Sequence, residues 1–136
     1  MTWNNGEAFT AEDVAFNIRR WCEQSAEGNS MASAMSTLVD EATGELAEGV
    51  VEVVDDRTLR LALPSPDISI IPAMSDYPAL IVHPSFDPET GLQANPVGTG
   101  PFVFESLEVG ASARVTRRES GWWGGEAHLD EIEFHD

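Results

Sequence analysis

The stretch NPVGTGPFVFESLE, residues 95–108, decides how the last third of the chain folds. Two glycines flank Thr99, and Pro101 follows directly after the second of them. Because glycine tolerates positive φ, whereas proline fixes φ and ends helices, this segment predicts a rigid bend. Beyond the bend the side chains alternate, with Phe102 and Phe104 on one face, which is typical of a half-buried strand.

Two further strands are expected after this one. Residues 109–112 (VGAS) predict a turn, and residues 113–119 predict a second strand with Val115 pointing inward. A loop rich in tryptophan and glycine, residues 121–125 (GWWGG), leads to a last strand at residues 129–135. We expect one tryptophan to plug the core and the other to be half-exposed, with stacking on a sugar or an aromatic ligand as the alternative.

Near the start of the chain, a helix is predicted from Ala11 to Gln24. Thr10 fits its N-cap, and Asp13 follows three residues later, as in an aspartate form of the capping box. Apolar side chains at helical spacing predict one buried stripe: Val14, Ile18, Trp21 and Cys22. Asn17, Arg19 and Arg20 are expected on the more solvent-exposed side of this helix. On this stripe, Cys22 is interpreted as a small core residue and not as a reactive thiol.

The middle of the chain predicts a second, shorter helix and a β-hairpin. The helix is expected from Met31 to Val39, on the helical spacing of its methionines and Leu38. The hairpin is expected over residues 50–63, since its leucines alternate with other residues in the second half. The acidic pair at residues 55–56 is interpreted as its turn and not as a catalytic or metal-binding pair.

After the hairpin, Asp67 is expected to cap a short helix, and an apolar run is expected to form a strand. The helix would carry Ile68, Ile71 and Met74. The run ALIV, residues 79–82, predicts a short buried strand because every side chain in it is apolar.

Several of these segments, in this order, resemble the peptide/nickel class of extracellular solute-binding proteins of ABC importers. The family pattern NPVGTGPY, RN-x-x-YW, YLD-x-I-x-F is similar to residues 95–102, 117–123 and 129–134. A second family pattern, DG-x-P-[FL]-T-A-E-D-V, is similar to residues 5–14, with asparagine and alanine in place of the usual aspartate and proline. Residues 51–63 follow the family's V-x-x-V-D-D-x-T-[VL]-x-[FL]-x-L.

This resemblance covers nearly the whole chain and implies a fold. It implies a mixed α/β (α+β) structure, a partial periplasmic-binding-protein-like type II fold with antiparallel hairpins and two short helical segments. Family members are several times longer, so the chain is expected to be an internal piece of a bilobal protein. Residues 1–80 would be a small-lobe segment and residues 81–136 a segment of the first large lobe, with the boundary near residues 77–84.

The resemblance also implies a function, together with its partners and location. It implies the substrate-binding component of an ABC importer, which captures a peptide or a similar small solute outside the cytoplasm and delivers it to an ABC permease. The protein would be periplasmic or extracellular and associated with the cell surface. Ligand contacts are implied at Ser30 and Met31, after the first helix, and at Asp76 and Tyr77, in the turn between the lobes. The isolated chain is expected to bind ligand weakly or not at all.

The composition of the chain argues against two classes of protein, those that bind nucleic acids and those that span membranes. The formal net charge is −17, with seven arginines and no lysine, so the chain lacks the basic stripe of a nucleic-acid-binding protein. It has no apolar run of the roughly 18–20 residues that a membrane span needs. The acidity is interpreted as solubility or adaptation to high salt, with an acidic cleft for cationic ligands as the alternative.

The motifs of catalysis and cofactor binding are missing from the sequence. It contains no P-loop, no dinucleotide fingerprint and no G-x-S-x-G elbow. The three histidines lack the close spacing of a metal site: His83, His128 and His135. We therefore predict neither an enzyme, nor a cofactor, nor a metal. The first alternative to a solute-binding protein is a free-standing acidic protein-interaction domain without a small ligand, and the second is an acidic hydrolase.

Overall fold

A computed structural model describes residues 1–136, which divide into two compact units. The helical unit comprises Thr10–Pro84, and the sheet unit comprises Met1–Phe9 with Ser85–Asp136. Both are described separately below. The architecture is mixed α/β with two antiparallel sheets, as predicted. The assignment of residues 1–80 and 81–136 to two lobes of a longer protein stays a prediction.

The helical unit is organised around helix α1, Ala11–Cys22. At its start, the Asp13 carboxylate accepts a hydrogen bond from the N–H of Thr10 at 2.7 Å, as expected of a capping box. The N–H of Ala11 donates to the carbonyl of Asp56 at 2.9 Å, so another of the unpaired donors at this helix end is satisfied. The helix ends two residues earlier than predicted, at Cys22.

The predicted apolar stripe of α1 is buried in the core of the helical unit. Two further segments contribute to this core: helix α2, Met31–Ala34, and a 3₁₀ turn at Ser36–Leu38. The fully packed members of the core are Ile18, Trp21, Cys22, Met31, Met35, Leu38, Val50 and Ile70. The methionines of this stretch are therefore core residues. The prediction of one continuous helix from Met31 to Val39 was wrong. Serine and threonine recur in this stretch, and their side chains compete with helical hydrogen bonds of the backbone.

A two-stranded sheet covers one side of this core. Strand β1, Val51–Asp55, pairs antiparallel with strand β2, Thr58–Leu61, which confirms the predicted hairpin. Between them the Asp55 carboxylate accepts a hydrogen bond from the N–H of Arg57 at 2.8 Å. That bond, joined by one from Thr58, lowers the pKa of Asp55. The acidic pair therefore builds a turn, as predicted.

The segment after the hairpin differs from its prediction in two respects. Helix α3 is a single turn, Ile70–Ala73, with Ile70 inside the core and Ile71 67% exposed. Asp67 accepts from the N–H of Ser69 at 2.8 Å, but the helix starts at Ile70, with Ser69 and not Asp67 as its N-cap. Residues 79–82 form no strand, and side chains of α1 bind the backbone groups of this run.

The sheet unit contains the three strands predicted for the last third of the chain. Strands β3, Phe102–Glu108, β4, Ser112–Arg117, and β5, Glu131–His135, form one antiparallel sheet in the order β3-β4-β5. The register shifts between Phe104 and Ser106, where β3 has a bulge. On one face, Arg114 lies between two carboxylates of β5, at 3.5 Å from Glu131 and 3.0 Å from Glu133.

The bend and the tryptophan loop of the sheet unit are joined by side chains. The indole N–H of Trp122 donates to the carbonyl of Thr99 at 2.8 Å. Trp122 is half-buried, whereas Trp123 is 66% exposed, so the pair is more open to solvent than expected. No helix in the structure has the length and apolar character needed to cross a membrane.

Candidate functional site

The four residues that the resemblance assigns to ligand contact all lie in the helical unit. Ser30 is exposed and precedes α2, whereas Met31 is 3% exposed and belongs to the core. Asp76 and Tyr77 lie in the turn after α3, where Tyr77 is 82% exposed. Three of the four side chains are therefore accessible to a ligand in this conformation, and the assignment of all four stays a prediction.

Packing between the two short helices relates these two pairs of residues. Helices α2 and α3 contact each other, and each buries one residue, Met31 and Ile70, in the same core. Asp76 and Tyr77 make local hydrogen bonds. The Asp76 carboxylate accepts from the N–H of Tyr77 at 2.8 Å. The N–H of Ala79 donates to the carbonyl of Asp76 at 3.0 Å and closes the turn.

Asn29 fixes the backbone that presents Ser30. Its side-chain NH₂ lies within hydrogen-bonding distance of three carbonyls at the end of α1, those of Arg20 (3.1 Å), Trp21 (3.2 Å) and Glu23 (2.8 Å). Its side-chain oxygen accepts from the N–H of Met31 at 3.2 Å. One amide thus satisfies groups at the end of one helix and at the start of the next, which both leave unpaired backbone groups. It also accounts for the early end of α1.

Replacing Asn29 by alanine is expected to lower the free energy of unfolding by about 1–2 kcal/mol, the usual cost of losing a helix cap. Urea denaturation of the variant and the wild type measures this difference. The matched control is Asn5→Ala, since Asn5 is exposed and accepts only from the N–H of Glu7 two residues away. Equal losses from both substitutions would contradict the role of Asn29.

Asn17 holds the chain that follows the Tyr77 turn, and it was wrongly predicted to face water. It is fully buried. Its NH₂ donates to the carbonyls of Asp13 and Val82, both at 2.8 Å, and its oxygen accepts from the N–H of Val82 at 2.9 Å. The pair of bonds to Val82 has the pattern that a neighbouring strand would supply. A side chain of α1 therefore replaces the strand partner of this apolar run.

Arg20 adds a second attachment to the same run. Its Nη2 donates to the carbonyl of Leu80 at 2.7 Å, and its Nε donates to the side-chain oxygen of Asn17 at 3.4 Å. Burial lowers the pKa of Arg20. Asn17, Arg20 and Asn29 together connect α1 to the segments on which Ser30 and Tyr77 lie.

A carboxylate also ties α3 to the 3₁₀ turn. The Thr37 hydroxyl donates to Asp67 at 2.6 Å, and the Ser69 hydroxyl and N–H donate to its other oxygen. These hydrogen bonds, those of Ser69 first, lower the pKa of Asp67. Their contribution to stability is present above the ordinary pKa of an aspartate and is lost as the pH falls through the lower value of the folded state.

Exposed apolar side chains recur in the segment around α3. Four side chains define what we call the apolar patch: Ile68 (93% exposed), Ile71 (67%), Tyr77 (82%) and Leu80 (62%). They occur within one short stretch that contains α3 and the Tyr77 turn. Single exposed apolar residues are common, but a group of this kind often marks a binding surface.

The structure also shows how the metal-ligating side chains and the single cysteine of the chain are arranged. It contains no group of three or more histidine, cysteine, aspartate or glutamate residues that could hold a metal ion. Cys22 is fully buried, and burial raises the pKa of its thiol to about 11. A thiol with so high a pKa is a poor nucleophile at neutral pH, and Cys22 is a residue of the core, as expected.

Comparison with known proteins gives a consistent result. The family model described as "Bacterial extracellular solute-binding proteins, family 5 Middle" matches residues 1–136. Among curated proteins, Heme-binding protein A of Haemophilus influenzae is 26% identical over 132 residues, which are 91% of this chain and 24% of that protein.

Solved structures share the fold at low sequence identity. OppA of Haemophilus influenzae, in complex with RPPGFSPFR, has a TM-score of 0.74 at 21% identity, over 98% of this chain and 28% of its own. NikZ of Campylobacter jejuni, in complex with Ni(L-His), has a TM-score of 0.72 at 18% identity, over 98% and 25%. The chain thus spans about a quarter of the length of the proteins it matches.

These comparisons confirm two predictions made from the sequence. The mixed α/β fold with antiparallel hairpins is part of the fold of these binding proteins. The family match covers every residue of the chain, including the bend, the α1 segment and the β1–β2 hairpin. The chain belongs to the bacterial extracellular solute-binding proteins, family 5 Middle.

Proposed function

We propose that this chain is part of the substrate-binding component of an ABC importer, which captures peptides or a similar small solute outside the cytoplasm. The observation that carries the proposal is the match of the family model to all 136 residues. Two structural relatives were solved with a peptide, RPPGFSPFR, and with Ni(L-His), which supports a small polar or peptidic ligand. Residues 1–80 and 81–136 would belong to two different lobes of the full-length protein.

This chain would help to bind the solute through its shape and its non-covalent contacts, and it would catalyse no reaction. Asn17, Arg20 and Asn29 fix the backbone on either side of the candidate contacts, so little ordering is needed when a ligand arrives. Preorganisation of this kind raises affinity because it reduces the entropy lost on binding. Ser30, Asp76 and Tyr77 would then touch the ligand, and Met31 would support them from the core.

The proposal includes a location and a partner. The protein would be periplasmic or extracellular and would release its solute to an ABC permease. Bilobal binding proteins close their lobes around the ligand by a hinge motion. This chain would form part of one wall of the ligand-binding cleft. It would need neither a cofactor nor a metal.

Titration of the full-length gene product with short peptides tests the proposal. After release of any co-purified ligand by unfolding and refolding, we expect saturable binding in isothermal titration calorimetry. Tyr77→Ala should weaken binding about tenfold, since an exposed aromatic side chain in a binding surface commonly contributes this much. The matched control is Trp123→Ala, which removes an exposed aromatic residue of the sheet unit and should leave the affinity unchanged.

Two results would count against the proposal. Absence of binding to peptides and small metal chelates would contradict solute capture and favour an acidic protein-interaction domain. Peptide binding that is equally strong in Tyr77→Ala and in the wild type would contradict the assignment of the site but not the function.

A further inference from the structure

The apolar patch lies in a part of the sequence that carries no positive charge. Between Arg60 and Arg114 the chain contains neither lysine nor arginine, whereas Asp67 and Asp76 lie within or beside the patch. The chain as a whole has a formal net charge of −17. A positively charged ligand is therefore attracted both by the patch and by the whole chain, and a negatively charged one is repelled by both.

One cation of the helical unit does reach this stretch. Arg20 of α1 donates to the carbonyl of Leu80, and its Nε donates to Asn17. These bonds hold the guanidinium against the backbone, so Arg20 positions the run, and its single positive charge is outnumbered by the carboxylates of Asp67 and Asp76.

The carboxylate in the patch is available to a ligand. Asp76 is exposed, and its Oδ1 accepts from the N–H of Tyr77, which leaves Oδ2 for an outside donor. Beside it Tyr77 offers an aromatic face, which binds both apolar groups and cations. The backbone of this turn is fixed by local bonds, such as that from the Ser75 hydroxyl to the carbonyl of Ile71 at 3.1 Å.

From this combination we propose that the apolar patch and Asp76 select a basic, amphipathic peptide as the solute. Its apolar side chains would cover Ile71, Tyr77 and Leu80, and its ammonium or guanidinium group would bind Asp76 and the face of Tyr77. This inference rests on the proposed function and specifies the substrate class. Charge complementarity decides against an acidic peptide and against an anionic membrane surface, since this surface would repel both.

The test uses the full-length gene product and three pentapeptides of the same apolar sequence. They differ only at two positions, which are both lysine, both glutamine or both glutamate. In calorimetry at low salt, we expect the lysine peptide to bind about tenfold more tightly than the glutamate peptide. In 1 M NaCl the preference should shrink several-fold, because the screening length falls to about 3 Å.

Asp76→Asn connects this preference to the carboxylate. The variant should lose roughly threefold or more of its affinity for the lysine peptide and keep its affinity for the glutamine peptide. The control Glu41→Gln removes the same charge from an exposed loop position between the 3₁₀ turn and β1, and should change neither affinity.

The outcomes separate this inference from the proposed function. Equal affinities for the three peptides, or an Asp76→Asn variant with the wild-type preference, would overturn the inference while peptide capture stands. Failure of all three peptides and of a broad peptide mixture to bind would overturn both.

Discussion

Asn17→Ala is expected to lower the free energy of unfolding by about 3 kcal/mol. The side chain is fully buried and satisfies the N–H and the carbonyl of Val82, at 2.9 and 2.8 Å. Val82 is itself only 5% exposed, so water cannot readily replace these bonds. Each buried polar group left without a partner costs about 1–3 kcal/mol, and the substitution leaves two of them on one residue.

Urea denaturation measures the loss, and hydrogen exchange at Val82 assigns it. In the variant, the amide of Val82 should exchange much faster than in the wild type, an effect that a small cavity alone would not produce. The control is Asn95→Ala, since Asn95 is exposed and donates only to the Ser85 hydroxyl, at 2.6 Å. A loss below about 0.5 kcal/mol for Asn17→Ala, within the range of ordinary surface substitutions, would contradict this account of α1.

Arg118→Ala should destabilise the sheet unit by a similar amount, about 3 kcal/mol. The guanidinium is 7% exposed and makes four hydrogen bonds to uncharged groups. It donates to the carbonyl and hydroxyl of Thr2 at 3.1 and 2.8 Å, to the carbonyl of Trp3 at 2.7 Å, and to the Ser120 hydroxyl at 2.6 Å. Hydrogen bonds from charged donors contribute more than neutral ones, and here they connect the chain start to the end of β4.

The neighbouring arginine provides the matched control. Arg117 forms an ion pair with Asp130 at 2.7 Å, but 42% of its side chain is exposed. Exposed ion pairs contribute about 0–1 kcal/mol, so Arg117→Ala should stay within that range. Thermal unfolding followed by tryptophan fluorescence measures both variants, and Trp3, which is 1% exposed, contributes the signal of this region beside the other three tryptophans. Equal losses of stability in Arg117→Ala and Arg118→Ala would contradict the role of Arg118 in holding the first residues of the chain.

Helix α1 and both hairpins could be predicted because local residues encode them. The capping pair at Thr10 and Asp13 sets where α1 begins, and alternation of apolar residues sets the strands. Such signals depend on a few neighbouring positions, which a single sequence contains in full. The bend before Phe102 is also present, although neither Gly98 nor Gly100 adopts the positive φ on which its prediction drew.

The roles of Asn17 and Arg118 could not be predicted, because both depend on distant partners. An asparagine on a helix normally faces water, and only the approach of Val82, 65 positions away, buries it. Two adjacent arginines look equivalent in a sequence, although one is buried and the other exposed. The apolar run at residues 79–82 was predicted as a strand, since a sequence pattern cannot show that a side chain supplies its partner.

The apolar patch was missed for a related reason. The prediction placed Ile68, Ile71 and Met74 in a short helix that starts directly after its cap, Asp67. It starts at Ile70 instead, and the phase of a one-turn helix changes with its first residue. Ile68 and Ile71 are exposed, as Tyr77 is. The resemblance pointed to this region, and the structure shows which of its side chains are exposed.

Hydrogen–deuterium exchange of the full-length gene product, with and without a saturating peptide, tests the central claim most directly. The claim is that α1 holds two segments, around Ser30 and around Tyr77, as a preformed surface for a solute. We expect peptide binding to slow exchange at residues 76–80 and near Ser30, with Val82 already protected in the free protein. Protection confined to other parts of the protein, with these amides unchanged, would contradict the claim.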